Sequence, residues 1–534
     1  MRAGKSEPGT RWWRVVVAAI AVAGAVGCIA AGAGAGAAVA YGATISGVAV
    51  PPLPQTVGPL PETATNYAWG AAAHGLTPID LSQYRYLEQE YLLKGTANVY
   101  SGTTGGPLTV AASGPYETRI LIRRPASPGR FSGRVIVELI NPTSNYDVDI
   151  MWAADHNYFM SRGDIYVGIS IKPVVLAAMQ AFNPTRYAGL SMANPDPSNT
   201  CPQGSPSTET GLAWDMVSQL GALLKSGSPA NPLANVHVKD VYLTGYSQSG
   251  GYMVTYINDI VPHFALSGGA PIYDGYLIGA GYGFTELAPI NQCAAPAAPG
   301  TPAAPETPGI EQFVVHPPPN APVIDVQTLS DSYSFLGWAG EEPDSNTPTD
   351  RYMLYQVPGA SHIWTYQVAY TPGPAELTAA GHPANDWQDN CLDTNLNPFP
   401  LQYFIDGAFD SLDRWVTAGT PPPFASHIEA IGDGTPAATI VDDQYGNALG
   451  GLRNPYVDVP IGTYYGTTAG TGTCELLWGH WTPFSQPQLQ QLYPTHQSYV
   501  TAVENDVDDL LAARFLTSAD AAAIIQQAQN AAVP

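Results

Sequence analysis

The stretch Val241-Tyr-Leu-Thr-Gly-Tyr-Ser247-Gln-Ser-Gly-Gly251 decides how this chain is read. Val238 to Thr244 has the composition of a short strand, and Tyr252 to Asp259 that of a helix. Between them stands Gly245-x-Ser247-x-Ser249. A strand that turns sharply into a helix leaves room only for small residues two before and two after the apex. Such a turn lifts the apex hydroxyl above the sheet. It also aims the next backbone N–H, that of Gln248, at charge developing on a carbonyl oxygen. Ser247 is therefore the candidate nucleophile. Ser249 is a rival, with Ser247 and Gly251 at its small positions, but the strand ends better for Ser247. A Gly/Ser-rich turn is also common loop composition; the strand before it and the helix after it set this one apart.

A nucleophilic Ser needs a base and an acid, which follow such an elbow in the chain order Ser, acid, His. Six His residues lie beyond the early helix: His316, His362, His382, His427, His480 and His496. His362, in Val357-Pro-Gly-Ala-Ser-His362, directly follows the strand-like run Tyr352 to Val357, where the last sheet strand should deliver the base. The acid should follow the strand Pro322 to Thr328, and Asp331 fits. Its role would be to hold the imidazole tautomer and stabilise the imidazolium. Asp325 falls within that strand; Glu341, Glu342 and Asp344 lie farther along the loop. A second oxyanion donor is expected after the strand Arg134 to Ile140, from the backbone N–H of Thr143 or Ser144, since Pro142 has none.

Around this segment, Thr118–Arg123 alternates like a half-exposed strand. Arg134–Ile140 and Ile165–Ile171 are continuously apolar, like buried ones. Leu212, Met216, Leu220, Leu223 and Leu224 share one face of a predicted helix over Thr210–Ser226. Strands alternating with helices predict an α/β domain with a mostly parallel sheet. Ala294–Pro308 is a low-complexity, Pro-rich insertion. Beyond Thr371 a helix is predicted over Leu401–Val416, irregular Gly-rich chain over Asp442–Thr468, and helix over Val500–Ala532.

The net charge of −24, from 20 basic and 44 acidic residues, argues against nucleic acid and against anionic membrane surfaces as partners. Arg2, Lys5, Arg11 and Arg14 precede an Ala/Gly/Val-rich apolar segment, and after Arg14 the next charge is Glu62. With Ala38-Val-Ala40 at its end, this reads as a secretory signal, or as an anchor if left uncleaved. Only the uncleaved form would bring the protein to a membrane, and both readings place the rest of the chain outside the cytoplasm. The apolar run continues well past Cys28, which argues against a lipid-modified Cys28. The four remaining Cys allow two disulfides. Their positions suggest Cys201–Cys293 in the core and Cys391–Cys474 in the C-terminal region.

The chain resembles the large exported alpha/beta-hydrolase domain proteins common in actinobacteria. The resemblance rests on Gly133-Arg-Val-Ile-Val-Glu-Leu-Ile-Asn141, Gly245-Tyr-Ser-Gln-Ser249 and Pro358-Gly-Ala-Ser-His362. It extends to Arg414-Trp-Val-Thr-Ala-Gly-Thr-Pro-Pro422 and Tyr445-Gly-Asn-Ala-Leu-Gly-Gly-Leu-Arg-Asn-Pro455. It implies an α/β-hydrolase fold, here with a Pro-rich insertion and a long C-terminal extension. One departure is Ile363-Trp364, where a small residue and an acid are expected; it bears on the wall of the pocket beside His362. The organisation expected is a signal or anchor over 1–40, a linker over 41–65, a hydrolase core over 66–380 and an integral extension over 381–534. The extension is expected to fold back over the C-terminal edge of the sheet.

The function expected is hydrolysis of a small or polymeric carboxylic ester through Ser247, His362 and Asp331, with no metal or organic cofactor. Its rivals are an acyltransferase of the same fold and an inactive cell-envelope binding protein. Cleavage of the leader is expected after Ala40. It removes four basic residues and Glu7, a net +3, and takes the charge from −24 to −27. Intact-mass analysis of the protein recovered from culture medium checks this; a full-length, membrane-bound product contradicts it.

Overall fold

The computed structural model describes residues 44–45, 47–102, 106–198, 201, 204–281, 288–293, 314–335, 343–384, 391–393, 395–432, 437–471 and 473–534. The N-terminal leader, the low-complexity segment 294–308, Glu341 and Glu342 lie outside them. Among the described residues no helix is long and apolar enough to cross a membrane.

One ten-stranded sheet organises the fold. Its strands are β1 (Gln55–Val57), β2 (Tyr86–Ser101), β3 (Thr109–Pro125), β4 (Arg134–Leu139), β5 (Ile165–Ile169), β6 (Asp240–Tyr246), β7 (Gly275–Gly279), β8 (Val323–Thr328), β9 (Ser345–Thr347) and β10 (Asp350–Val357). Their order is β1-β2-β3-β5-β4-β6-β7-β8-β10-β9. The run from β5 to β10 is parallel throughout, while β1, β2, β3 and β9 join antiparallel at the two sides. The central strands β5, β7 and β8 are buried along their whole length, and in β5 and β7 the sequence is accordingly apolar without alternation. The helices that matter for the site are α1 (Ile150–Arg162), α2 (Pro173–Phe182), α3 (Ala213–Leu224), α4 (Gln248–Thr255), α5 (Leu329–Phe335), α6 (Gln402–Ala418), α7 (His496–Ala513) and α8 (Ser518–Asn530).

Five expectations need correction. The predicted linker contributes β1, because Gln55–Val57 pairs with Leu92–Lys94 and Thr56 Oγ1 donates to Ala230 O. The strand around Thr118–Arg123 is buried rather than half-exposed, and is half of a hairpin of 16- and 17-residue strands. That hairpin covers α3, so α3 is buried on every side rather than on one face. Its polar residues are matched to the hairpin: Asp215 accepts from Asn98 N and Tyr100 Oη, and Gln219 Nε2 donates to Thr96 O. The helix predicted over Val500–Ala532 is two helices, α7 ending at left-handed Arg514 and α8 starting on the Thr517 cap. Gly462–Tyr465, within the stretch read as irregular, pairs with His480–Pro483.

The chain after residue 381 is bound to the sheet. Helix α6 packs on β7, β8 and α1, and the bare Cα of Gly407 admits the backbone of Phe515. Disulfides join Cys201 to Cys293 and Cys391 to Cys474, the pairings expected from the sequence, each contributing about 2–4 kcal/mol.

Where α1, α6 and α8 meet, three buried carboxyl groups converge: Asp155, Asp406 and Asp520. No N–H or O–H from another residue type reaches either oxygen of Asp155, so Asp155 and Asp406 bond to each other only through a shared proton. Burial raises Asp155 and Asp406 well above the carboxylate range, with Glu138 adding to the effect on Asp155. Burial pushes Asp520 up to about 6. Groups whose folded pKa is raised hold more protons folded than unfolded, so their contribution to stability falls as pH rises. It is complete near the unfolded carboxylate value of about 4 and declines through about 6 for Asp520. Asn at 406 supplies permanent N–H donors to both neighbours. Asp406→Asn should therefore become more stable relative to the parent as pH is raised from about 5 to about 8. Thermal unfolding across that range checks it; a pH-independent difference contradicts it.

Candidate active site

The parallel strands bring their C-terminal ends to one edge, and β6, β8 and β10 each deliver a candidate residue there. Ser247 stands between β6 and α4 at φ 59° and ψ −125°, a conformation that an L-residue holds only when its surroundings enforce it. Three features enforce it. Ser247 N donates to Gly279 O at 2.8 Å. A Cβ on Gly245 would come within 2.9 Å of Ser249 O, so only Gly fits that position. Ser249 Oγ receives Tyr246 N and donates to Tyr246 O, both at 3.0 Å. That double bond also disposes of the rival: the Ser249 hydroxyl is buried and spent on the turn.

Asp331 lies in the first turn of α5, just beyond β8, and His362 follows β10. Ser247 Oγ lies 2.7 Å from His362 Nε2, and His362 Nδ1 lies 2.7 Å from Asp331 Oδ1. The other Asp331 oxygen accepts from Thr328 N at 2.9 Å and Thr328 Oγ1 at 2.7 Å, which fixes the carboxylate plane. All three residues are buried, Ser247 being the most accessible at 6%. With Nδ1–H donated to Asp331, Nε2 is left as an acceptor for the Ser247 hydroxyl, the tautomer a general base requires.

The other candidates go elsewhere. Asp325 lies within β8 and engages Gln327 and Tyr352. Asp344 accepts from Leu354 N, and His316 is exposed.

Gln248 opens α4, so its N–H has no acceptor within the helix, and none meets it among the described residues. In the loop after β4, the amides of Ile140, Asn141 and Asn145 are satisfied by backbone carbonyls. The Thr143 N–H is taken by Asn141 Oδ1 at 2.8 Å, which removes Thr143 from the anticipated donor pair. Ser144 is left, and no acceptor meets its N–H among the described residues.

Several positioning residues carry no motif. Asn141 Nδ2 donates to Tyr246 O at 2.7 Å and ties this loop to the elbow. Tyr246 Oη donates to His362 O at 2.8 Å. Ser330 receives His362 N at 3.0 Å and donates to Gly466 O, linking the His loop to the C-terminal extension. The Asn141-Pro142 pair is a turn signal and Thr328, three before Asp331, is a capping signal, but Ser330 and Tyr246 act through partners far away in sequence. Ile363 and Trp364 serve the same linkage. Ile363 N donates to Leu477 O and the side chain packs with Trp478, while Trp364 Nε1 donates to Gln402 in α6.

Among the described residues no group of His, Cys, Asp and Glu is arranged to hold a metal ion. A cavity of about 360 Å³ lies away from the triad, between the β2–β3 hairpin and Glu209, Asn291 and Cys293.

A Ser at a strand–helix apex, with an Asp and a His from later strands of a mostly parallel sheet, defines the α/β-hydrolase class. The chain belongs to the family described as alpha/beta hydrolase domain, matched over residues 56–526. Among solved structures it is similar to a carboxylesterase from Lactobacillus plantarum (12% identity, 44% of this chain and 76% of that one, TM-score 0.24). It is also similar to a lidless α/β serine hydrolase from Xanthomonas campestris (10%, 49% and 85%, TM-score 0.22) and a lipase/esterase from Lactobacillus plantarum (12%, 49% and 92%, TM-score 0.25). No curated protein matches the sequence.

Ser330→Ala should cost about 1–3 kcal/mol, because it strands the buried His362 N–H and leaves Gly466 O unbonded. Urea unfolding measures it, and an unchanged midpoint would count against the linkage.

Proposed function

We propose that the protein is an exported serine hydrolase of carboxylic esters, acting through Ser247, His362, Asp331 and an acyl-enzyme. The observation that carries the reading is the unbroken relay from Ser247 Oγ through the imidazole to Asp331, 2.7 Å at each step, on a strained turn. His362 takes the Ser247 proton as Oγ attacks the ester carbonyl, then returns it to the departing alkoxide. Water activated by the same imidazole releases the acid. The N–H groups of Gln248 and Ser144 are the proposed oxyanion donors. Esters are favoured over amides because an alkoxide is the better leaving group and depends less on protonation than an amine does. Export is supported by the leader-like N-terminus and the two disulfides.

The parent protein should release 4-nitrophenol from short-chain 4-nitrophenyl esters and be labelled by a fluorophosphonate. Ser247→Ala should abolish labelling and lower kcat by on the order of 10⁶, and Asp331→Asn should lower it by about 10⁴. Turnover that survives Ser247→Ala would sink the proposal. Faster transfer to an added alcohol than to water would redirect it to an acyltransferase.

A further inference from the structure

The C-terminal edge of the sheet carries four described charged groups in the segments that follow its strands, and three are matched. Asp147 faces Arg119 at 3.5 Å, Asp149 pairs with Arg123, and Asp331 bonds His362. The fourth is Lys172, in the segment joining β5 to α2. Its ammonium donates to Gln248 Oε1 at 3.2 Å, and among the described residues no carboxylate pairs with it. Lys172 is half-buried, and burial pushes its pKa down. In a chain with 44 acidic and only 20 basic residues, this lysine meets no carboxylate among the described residues and instead contacts the residue that follows Ser247.

A partly desolvated ammonium is stabilised by any anion brought to it, and its one side-chain partner among the described residues is on the residue that follows Ser247. We propose that Lys172 is a specificity-determining residue that binds a carboxylate carried by the substrate, so that the preferred substrates are esters bearing one free carboxylate near the scissile bond. One ammonium with one amide neighbour matches a single negative charge. A phosphate dianion would call for several donors. The inference rests on the esterase reading of Ser247.

Two substrate pairs test it: monoethyl succinate against ethyl butyrate, and 4-carboxyphenyl butyrate against phenyl butyrate. They place the carboxylate on the acyl and alcohol sides respectively. In at least one pair the parent should favour the anionic member in kcat/KM by roughly 10–100-fold, the worth of a charge-assisted hydrogen bond. Lys172→Met should collapse that ratio and Lys172→Arg should keep it. A parent ratio at or below one in both pairs overturns the proposal. So does a Lys172→Met variant that slows both members equally, because the lysine would then only position Gln248. Binding to Ser247→Ala reads the lysine without turnover: monoethyl succinate should raise its melting temperature, ethyl butyrate should not, and adding Lys172→Met should remove the effect. If that shift is seen while no ester is turned over, the esterase reading fails and the carboxylate site stands. If turnover depends on Ser247 but no shift is seen, the carboxylate site fails alone.

Discussion

Ser247 occupies a backbone conformation of the kind that costs about 1–3 kcal/mol and persists only if its surroundings over-determine it. Much else in this part of the molecule follows from that constraint. The turn has to be anchored on both sides, by Gly279 O on β7 and by the Ser249 hydroxyl within its own first helical turn. It has to be cleared of side chains, hence Gly245. It also has to be fixed relative to the loop after β4, which Asn141 achieves by bonding Tyr246 O. The return is a hydroxyl held above the sheet edge, with the adjacent helix amide met by no acceptor among the described residues.

Aiming the hydroxyl is of no use unless the imidazole stays at its level, and the chain beyond His362 helps to hold it there. A loop after the last major strand has few local contacts of its own. Here it is fastened from outside at successive residues: Gly359 O by Asn397, His362 N by Ser330 and so by Gly466, Ile363 N by Leu477, and Trp364 by Gln402 in α6. The Cys391–Cys474 disulfide joins the strap to itself. Ile363 and Trp364 are both buried, Ile363 packed with Trp478 and Trp364 bonded to Gln402, so both belong to this fastening.

The elbow was legible because its information is local: strand, small residues, helix, all within about twenty positions. Asp331 and His362 were legible because strand order fixes which loops reach the edge. What the sequence concealed depends on distant partners. Leu212, Met216, Leu220, Leu223 and Leu224 read as the single apolar face of α3, yet Asp215 and Gln219 are buried too, and a hairpin more than 100 residues earlier supplies their hydrogen-bond partners. Gln55–Val57 read as linker because a three-residue strand flanked by prolines carries no periodicity. The Thr143 amide read as a free donor because its acceptor is a side chain two residues back, an Asx turn that backbone spacing alone does not reveal.

The sparse positive charge is spent in one manner almost everywhere in the core. Arg119 lies between Glu90 and Asp147, Arg123 between Glu88 and Asp149, and Arg134 between Asp164 and Asp413. Each guanidinium is shared by two carboxylates, and Arg123 also lies 4.4 Å over the Trp152 ring. Planar, weakly hydrated guanidinium tolerates this burial, and its fork orients both acids. Lysine is the more strongly hydrated cation, so a desolvated lysine without an acid is the less stable choice. The cation at the sheet edge beside Ser247 is nevertheless a lysine, facing an amide oxygen rather than a carboxylate. A carboxylate in that place would cancel the local field. An amide leaves the charge of the Lys172 ammonium uncompensated by any carboxylate among the described residues.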